Sequence, residues 1–249
     1  MLYNKISNWI KDYAESNNMS SLIIGVSGGV DSAVSSTLAA KTGLKTIVVS
    51  MPIYQGEDQL KRANKHIDWL RNNYKNVESN EIDLTNLFDK FSELFSQQNG
   101  HALANTRSRL RMVTLYHIAS LNNGLVVGTG NKVEDFGIGF YTKYGDGGVD
   151  ISPIADLMKS EVRNLAKSMG VNQEIVDAAP TDGLWEDHRT DEEQVGASYK
   201  ELEWAMEYDG NINSLSKRER EVLEIYNKFH NQNKHKMIEI PIFKNNFHN

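Results

Sequence analysis

The chain has 249 residues, 39% hydrophobic and 24% charged, with 27 basic against 33 acidic side chains and no cysteine. This fits a soluble globular protein able to bury a sizeable core, and the formal charge of −6 speaks against a protein built to coat nucleic acid. Lack of cysteine excludes disulfide scaffolds, thiolate zinc sites, iron–sulfur clusters and thiol nucleophiles.

The N-terminal run MLYNKISNWIKDYAES lacks the apolar stretch of a signal peptide. Leu2, Ile6, Trp9, Ile10 and Tyr13 share one helical face and predict a packed amphipathic helix. No apolar run reaches the roughly 18 residues that a membrane helix needs. The expected location is the cytoplasm. Residues 22–26 (LIIGV) are continuously apolar and predict a buried strand, followed by a glycine-rich turn and a helix over 33–41. Residues 46–50 (TIVVS) predict a second strand. Leu60, Ala63, Ile67 and Leu70 mark a helix over 57–73, and 77–84 reads as a more polar strand. Helices are predicted over 84–97 and 102–121, then a fourth strand over 125–128 (LVVG). Strands alternating with helices imply right-handed crossovers and a doubly wound α/β fold, a parallel sheet flanked by helices on both faces.

The second half is less regular. Gly137, Gly139, Gly145, Gly147 and Gly148 predict a loop over 136–153. A helix over 159–169 stops at Gly170, and 180–189 is again irregular. Capping boxes at Thr190/Glu193 and Ser216/Glu219 open later helices, the second carrying Val222, Ile225, Tyr226 and Phe229. With no repeat, low-complexity tract or linker, residues 1–249 are expected to form a single domain.

The run Ser27-Gly28-Gly29-Val30-Asp31-Ser32 sits between the first strand and its helix. Backbone amides and a helix N-terminus converge there on an anion site. Glycines permit close approach, and two hydroxyls add donors. Asp31 would repel phosphate unless a divalent cation lay between them. The run ends in neither Gly-Lys-Ser/Thr nor a GxGxxG fingerprint, so it is neither a P-loop nor a dinucleotide-binding turn. By spacing alone, Asp31 and Ser32 could instead serve as helix caps. Val127-Gly128-Thr129-Gly130-Asn131 follows the fourth strand, with Glu134 beyond it, and both turns open at carboxyl ends of strands. Glu134 alone reads equally as a first-turn residue favoured by the helix dipole.

SGGVDS after a buried strand resembles the signature of the ATP pyrophosphatases of the adenine nucleotide alpha-hydrolase-like fold. GTGNKVED followed by FYTKYGDGGVDISP (140–153) resembles the pattern of the NAD synthetase family. Lys159, Pro180-Thr181 with Leu184, the Arg-rich 107–112 and His235-Lys236 match further landmarks in order, so the likeness spans roughly residues 20–240. Residues 134–139 (EDFGIG) are one longer than in some members, and the tail PIFKNNFHN differs from the usual ending.

The resemblance implies ATP contacts from Gly25, Val26, Ser27, Gly28, Gly29, Val30, Asp31, Ser32, Thr129, Lys159 and Thr181. It implies Mg²⁺ held by Asp31 and Glu134, and deamido-NAD held by Arg109, Lys143, Asp150, His235 and Lys236. Against this stand plainer readings. Arg109 and Arg111 are two apart and do not share a helix face, Lys143 reads as a surface lysine, and His235-Lys236 read as solvent-facing by composition.

The reaction so implied is amidation of deamido-NAD by ammonia through an acyl-adenylate, releasing AMP and pyrophosphate and making NAD as product. No side-chain nucleophile is needed; positioning and charge screening carry the catalysis. A lid is expected from 137–150 and 180–189. The resemblance also implies a homodimer, built on the 102–121 helix, with no nucleic acid or membrane partner. Without cysteine or room for a glutaminase domain, nitrogen is expected as free ammonia or from a separate glutaminase. The alternatives are a tRNA-modifying ATP pyrophosphatase, disfavoured by the missing cysteines and basic domain, and a non-catalytic nucleotide sensor, disfavoured by Asp31, Glu134, Lys143 and Lys159 occurring together.

Overall fold

The computed structural model describes residues 1–97, 99–180 and 190–245. The apolar stripe of the N-terminus forms α1 (Leu2–Ser16), which buries Ile10 and Ala14. Four strands follow in the predicted order: β1 (Ser21–Gly25), β2 (Lys45–Ser50), β3 (Val77–Glu81) and β4 (Gly124–Val126). They pair in parallel with order β3-β2-β1-β4. An added bridge between Val127 and Ile151 extends the sheet past β4. Leu22, Ile23 and Ile24 of β1 are fully buried, as a continuous apolar run in a two-faced sheet demands. The outer strand β3 (VESNE) is polar and largely exposed, which blunts that edge against further pairing. It is three residues shorter than its predicted 77–84.

The helices cover both faces. On one, α1, α2 (Val30–Lys41), α3 (Glu57–Asn73) and α6 (Lys159–Ser168) share one apolar cluster with β1 and β2. On the other, α4 (Thr85–Ser92) and α5 (Gly100–Leu121) pack Phe88 and Ile118 against Ile23, Val49 and Val126. Ten of the twelve residues of α2 are buried, which makes it the central helix of its layer. Its first turn begins at Val30, so Asp31 and Ser32 are helical where the sequence reading started the helix at 33.

The chain moves outward from β1 to β3, then returns to the other side of β1 as β4. The crevice between the carboxyl ends of β1 and β4 is therefore the topological switch point, where ligands of open α/β sheets bind.

Two regions depart from the expectations. Residues 136–138, predicted as the start of a loop, belong to a π-helix, Val133–Ile138, closed by Gly139 at φ 62°. Val133 and Ile138 are buried against α9 (Tyr199–Glu207) and α10 (Lys217–Met237), so tertiary packing holds a segment that local composition reads as irregular. A π turn takes one residue more than an α turn, which suits the extra residue in 134–139. The remainder of the glycine-rich run is tied down: Ser108 Oγ donates to Asp146 Oδ1 at 2.6 Å, and the Thr142 amide donates to the same oxygen at 3.0 Å. Both capping boxes form, opening α8 (Asp191–Val195) at Thr190 and α10 at Ser216. Helix α9 lies outside the sequence reading, although Ser198 and Glu201 carry the same capping pattern. The short α7 (Gln173–Val176) likewise lies outside the sequence reading. Thr181, Leu184 and residues 182–189 lie outside the described residues.

Candidate active site

A cavity of about 960 Å³ opens at the switch point, bounded by the SGGVDS turn, the turn after β4, α5 and the C-terminal part of α10. The SGGVDS turn is shaped by what surrounds it. Gly28 has φ 84°, and a Cβ there would lie 2.4 Å from the Gln59 carbonyl oxygen, so only glycine fits between the turn and α3. The loop hydroxyls bond within the loop: Ser32 Oγ donates to the Gly29 carbonyl at 3.0 Å and accepts from the Ser27 amide at 3.2 Å. The loop thus keeps its shape through its own groups.

At the cavity floor, three distant parts of the chain meet. Lys159, the first residue of α6, is 3% exposed, and its Nζ donates to Asp31 Oδ2 at 2.5 Å and Glu134 Oε1 at 2.8 Å. Asn131 Nδ2 reaches Asp31 Oδ1 at 3.5 Å, while Asn131 Oδ1 accepts from the Glu134 amide at 3.1 Å. Gly29 is the N-cap of α2 and no side chain caps it, so Asp31 and Ser32 are not the caps that spacing alone allowed; the helix positions of Asp31 and Glu134 are both in a first turn. These positions do not exhaust what the side chains do. Burial raises the proton affinity of Glu134, but the Lys159 charge and bond, with donors from Tyr199 and Asn131, outweigh it and hold Glu134 below the usual range. Asp31 lies on the other side: burial, with repulsion from Glu134, lifts it above the usual aspartate value despite Lys159. Burial opposes the charge on Lys159, but Asp31 and Glu134 together push its pKa upward.

Mg²⁺ fits this floor by its donor set. Two carboxylates already converge on one ammonium, so they can converge on a compact hard cation. Among the described residues no third His, Cys, Asp or Glu joins them. That leaves most of the coordination sphere to phosphate oxygens and water, the usual arrangement for Mg²⁺ on a nucleotide.

Arg109, Lys143 and Lys236 also line the cavity, with Asp135 and Asp146 among their neighbours in the lining. Arg109 donates to the Lys143 carbonyl from Nε and Nη2 at 3.4 and 3.3 Å, and Lys143 Nζ donates to the His235 carbonyl at 3.2 Å. Lys236 Nζ donates to the carbonyls of Gly139 and Tyr141, and Tyr141 Oη returns a bond to the Lys236 carbonyl at 2.6 Å. His235 and Lys236 belong to α10 and line the cavity; Lys236 is half-buried, while His235 is exposed, as composition alone suggests. Arg109 and Arg111 diverge along α5 yet both line the cavity, because α5 runs along it. Arg111 Nε donates to the Met51 carbonyl at 3.0 Å, and desolvation lowers its pKa to about 10.

Of the sequence-predicted residues, Gly25 to Ser32, Thr129, Glu134, Lys159, Arg109, Lys143, His235 and Lys236 all line this one cavity. Asp150 is not among the lining residues. Its Oδ2 accepts from the Val126 amide at 2.7 Å and its Oδ1 from Tyr116 Oη at 3.0 Å, which ties β4 to α5. Thr181 lies outside the described residues. The sequence reading missed Asn131, Arg62 beside Gly28, and Tyr199, whose hydroxyl donates to Glu134 Oε1. Asn131 was within reach, as the last residue of the GTGN turn.

The family described as NAD synthase matches residues 2–247 of the chain. The NH(3)-dependent NAD(+) synthetase of Carboxydothermus hydrogenoformans is 38% identical over 205 residues, covering 80% of this chain and 82% of that protein. The chain belongs to the NAD synthase family. The NH(3)-dependent NAD(+) synthetase of Alkaliphilus metalliredigens is 32% identical over 97% of both chains. Among solved structures, an NMN synthetase from Francisella tularensis superimposes with TM-score 0.87 and 34% identity, covering 99% of this chain and 98% of that one. In this member of the NAD synthase family, the SGGVDS turn and the floor carboxylates stand at the switch-point crevice of the sheet.

Proposed function

We propose that the chain amidates the nicotinate carboxylate of deamido-NAD with ammonia, consuming ATP and releasing AMP, pyrophosphate and NAD. The observation that carries this reading is the convergence of Asp31, Glu134 and Lys159 in one cavity that the SGGVDS turn, Arg109, Lys143 and Lys236 also line. The first group suits a metal-bound triphosphate, and the cations Arg109, Lys143 and Lys236 suit an anionic acceptor.

ATP lies along Gly25 to Ser32 with Thr129 beside it, and the loop amides cradle its phosphates; the assignment of Thr181 to this site rests on family resemblance alone. Mg²⁺ on Asp31 and Glu134 would screen the triphosphate charge. Arg109, Lys143, His235 and Lys236 hold the acceptor; the assignment of Asp150, outside the cavity, rests on family resemblance alone. The nicotinate carboxylate attacks the α-phosphate, and the bond to the β-phosphate breaks. Lys159 stabilises the charge that gathers on departing pyrophosphate. Ammonia then attacks the activated carbonyl and AMP leaves. The side chains contribute position and charge, not a covalent step.

Residues 1–249 act as one synthetase domain in this reading, supported by a family match over 2–247. A cytoplasmic location follows from the soluble metabolites it would use, and recovery in a membrane fraction would contradict it. No helix among the described residues is long and apolar enough to cross a membrane.

One observation favours a second acceptor. The Francisella structure is named an NMN synthetase and matches essentially the whole chain at 34% identity, so nicotinate mononucleotide belongs in the same assay. Protein is incubated with ATP, Mg²⁺ and ammonium plus either acceptor, and NAD, NMN, AMP and pyrophosphate are measured. NAD from deamido-NAD with equimolar AMP is expected. Preferential NMN formation would transfer the assignment to the mononucleotide, and no AMP with either acceptor would overturn it.

A homodimer is part of the reading. Val113 and Leu121 of α5 are 59% and 72% exposed, and Leu87, Phe91, Leu94 and Phe95 on and after α4 add exposed apolar surface beside it. Covering such surface with its copy across a two-fold axis would bury it. Sedimentation is expected to give a dimer, and a fully active monomer would reject it.

A further inference from the structure

Tyr199 opens α9 and is 5% exposed, yet the proposed reaction assigns it nothing. Its hydroxyl donates to Glu134 Oε1, the same oxygen that accepts from Lys159 Nζ at 2.8 Å. On its other side the hydroxyl lies 3.2 Å from Oδ2 of Asp191, the first residue of α8. The Tyr199 ring carries the Lys159 ammonium 4.8 Å from its centroid. The backbone is fixed as well, since the Tyr199 amide donates to Glu192 Oε1 at 2.8 Å.

We propose that Tyr199 is a positioning residue that pins Oε1 of Glu134, so that Oε2 is the oxygen presented to a divalent cation on the nucleotide. This rests on the reading of Asp31 and Glu134 as the cation's protein ligands. Lys159 holds the same Oε1, but a lysine that also serves phosphate is drawn away from the carboxylates as nucleotide binds. The phenol is uncharged and held by α8 and α9, so its hold on Glu134 persists through that change. Glutamate has three side-chain torsions, and an unheld carboxylate presents either oxygen. Outer-sphere partners that fix a ligand in this way contribute about 10–100-fold to metal affinity.

The test is Tyr199→Phe, which keeps the ring beneath Lys159 and removes only the hydroxyl. Mn²⁺ with ATP is the probe, and free Mn²⁺ is followed by electron paramagnetic resonance, so no acceptor substrate enters the measurement. The variant is expected to bind Mn²⁺–ATP roughly 10-fold or more weakly, with an unchanged thermal midpoint. It should also lower kcat at saturating acceptor without raising the acceptor KM. Tyr226→Phe, a buried tyrosine of the same apolar cluster, reports ordinary packing effects and should bind as wild type. Equal Mn²⁺–ATP affinity for wild type and Tyr199→Phe overturns the proposal, as does an equal loss in Tyr226→Phe. Wild-type protein that binds no Mn²⁺–ATP overturns the nucleotide reading itself, a result distinguishable from either.

Discussion

Asp31→Ala and Asp31→Asn are expected to abolish formation of AMP and pyrophosphate while leaving the fold intact. Asp31 is the acidic residue in the first turn of α2, within the SGGVDS run, and its carboxylate sits 2.5 Å from Lys159 Nζ. A metal on a transferring phosphoryl group supplies several kcal/mol of charge stabilisation. At about 1.4 kcal/mol per factor of ten, its loss lowers kcat by on the order of 10³-fold. The asparagine variant isolates the charge, because it preserves side-chain volume beside Asn131. Its folding cost is small for a physical reason. Asp31, Glu134 and Lys159 together carry one excess negative charge in a buried site, and removing Asp31 leaves a matched Glu134–Lys159 pair. The measurement is AMP and pyrophosphate release alongside thermal unfolding. Turnover within a few-fold of wild type at saturating Mg²⁺ would remove Asp31 from the nucleotide site and take the mechanism with it.

Much of the architecture is legible from the sequence because its signals are strong and local. LIIGV can hardly be anything but a buried strand, and the SGGVDS turn places its own helix. The doubly wound sheet follows from the alternation of strands and helices, and the switch-point crevice from the strand order. Other features depend on distant contacts that local pattern does not encode. The glycines of 137–148 suggest a free loop, but Ser108 and Lys236, remote in sequence, hold that run against α5 and α10. The tract HNQNKHK is polar enough to read as a solvated tail, yet α10 continues through it because Lys236 and Asn233 find carbonyl acceptors on the glycine-rich segment. Tyr199 was invisible for a related reason. A buried tyrosine at a helix start looks like core, and only the fold brings its hydroxyl to Glu134. The motif residues, by contrast, announce themselves because their chemistry is local to two strand ends. Asp150 shows the opposite hazard: a motif residue whose carboxylate in this fold serves the Val126 amide and Tyr116.

Lys159→Met is expected to cost both activity and stability, and the stability loss carries a pH signature. The side chain is 4% exposed and pairs with Asp31 and Glu134, which are 17% and 16% exposed. Removing one partner from a buried ion pair leaves uncompensated charge and costs about 3–5 kcal/mol. For a chain of this size that corresponds to a thermal midpoint lowered by on the order of 10 °C. Without the ammonium, burial and mutual repulsion on the two carboxylates are opposed only by the hydrogen bonds from Tyr199 and Asn131. Glu134, held low in the wild type, then joins Asp31 above its unfolded value. A carboxylate whose folded pKa is raised binds more protons folded than unfolded, so stability rises as pH falls from the raised value toward the ordinary value of about 4. The deficit of Lys159→Met against wild type should therefore be largest near pH 8 and shrink toward about pH 5, the interval in which the pair can take up a proton. Mg²⁺ should narrow it at the higher pH by supplying the missing charge. Wild type differs in sign at one position: Glu134, with its lowered pKa, contributes stability that is present above the unfolded value and lost as pH falls through the folded one. Thermal unfolding of both proteins across this range, with and without Mg²⁺, decides the point. A deficit equal at both ends of the range and indifferent to Mg²⁺ would mean that Lys159 stabilises the fold through packing of its stem, and the charged triad would lose its place at the centre of the site.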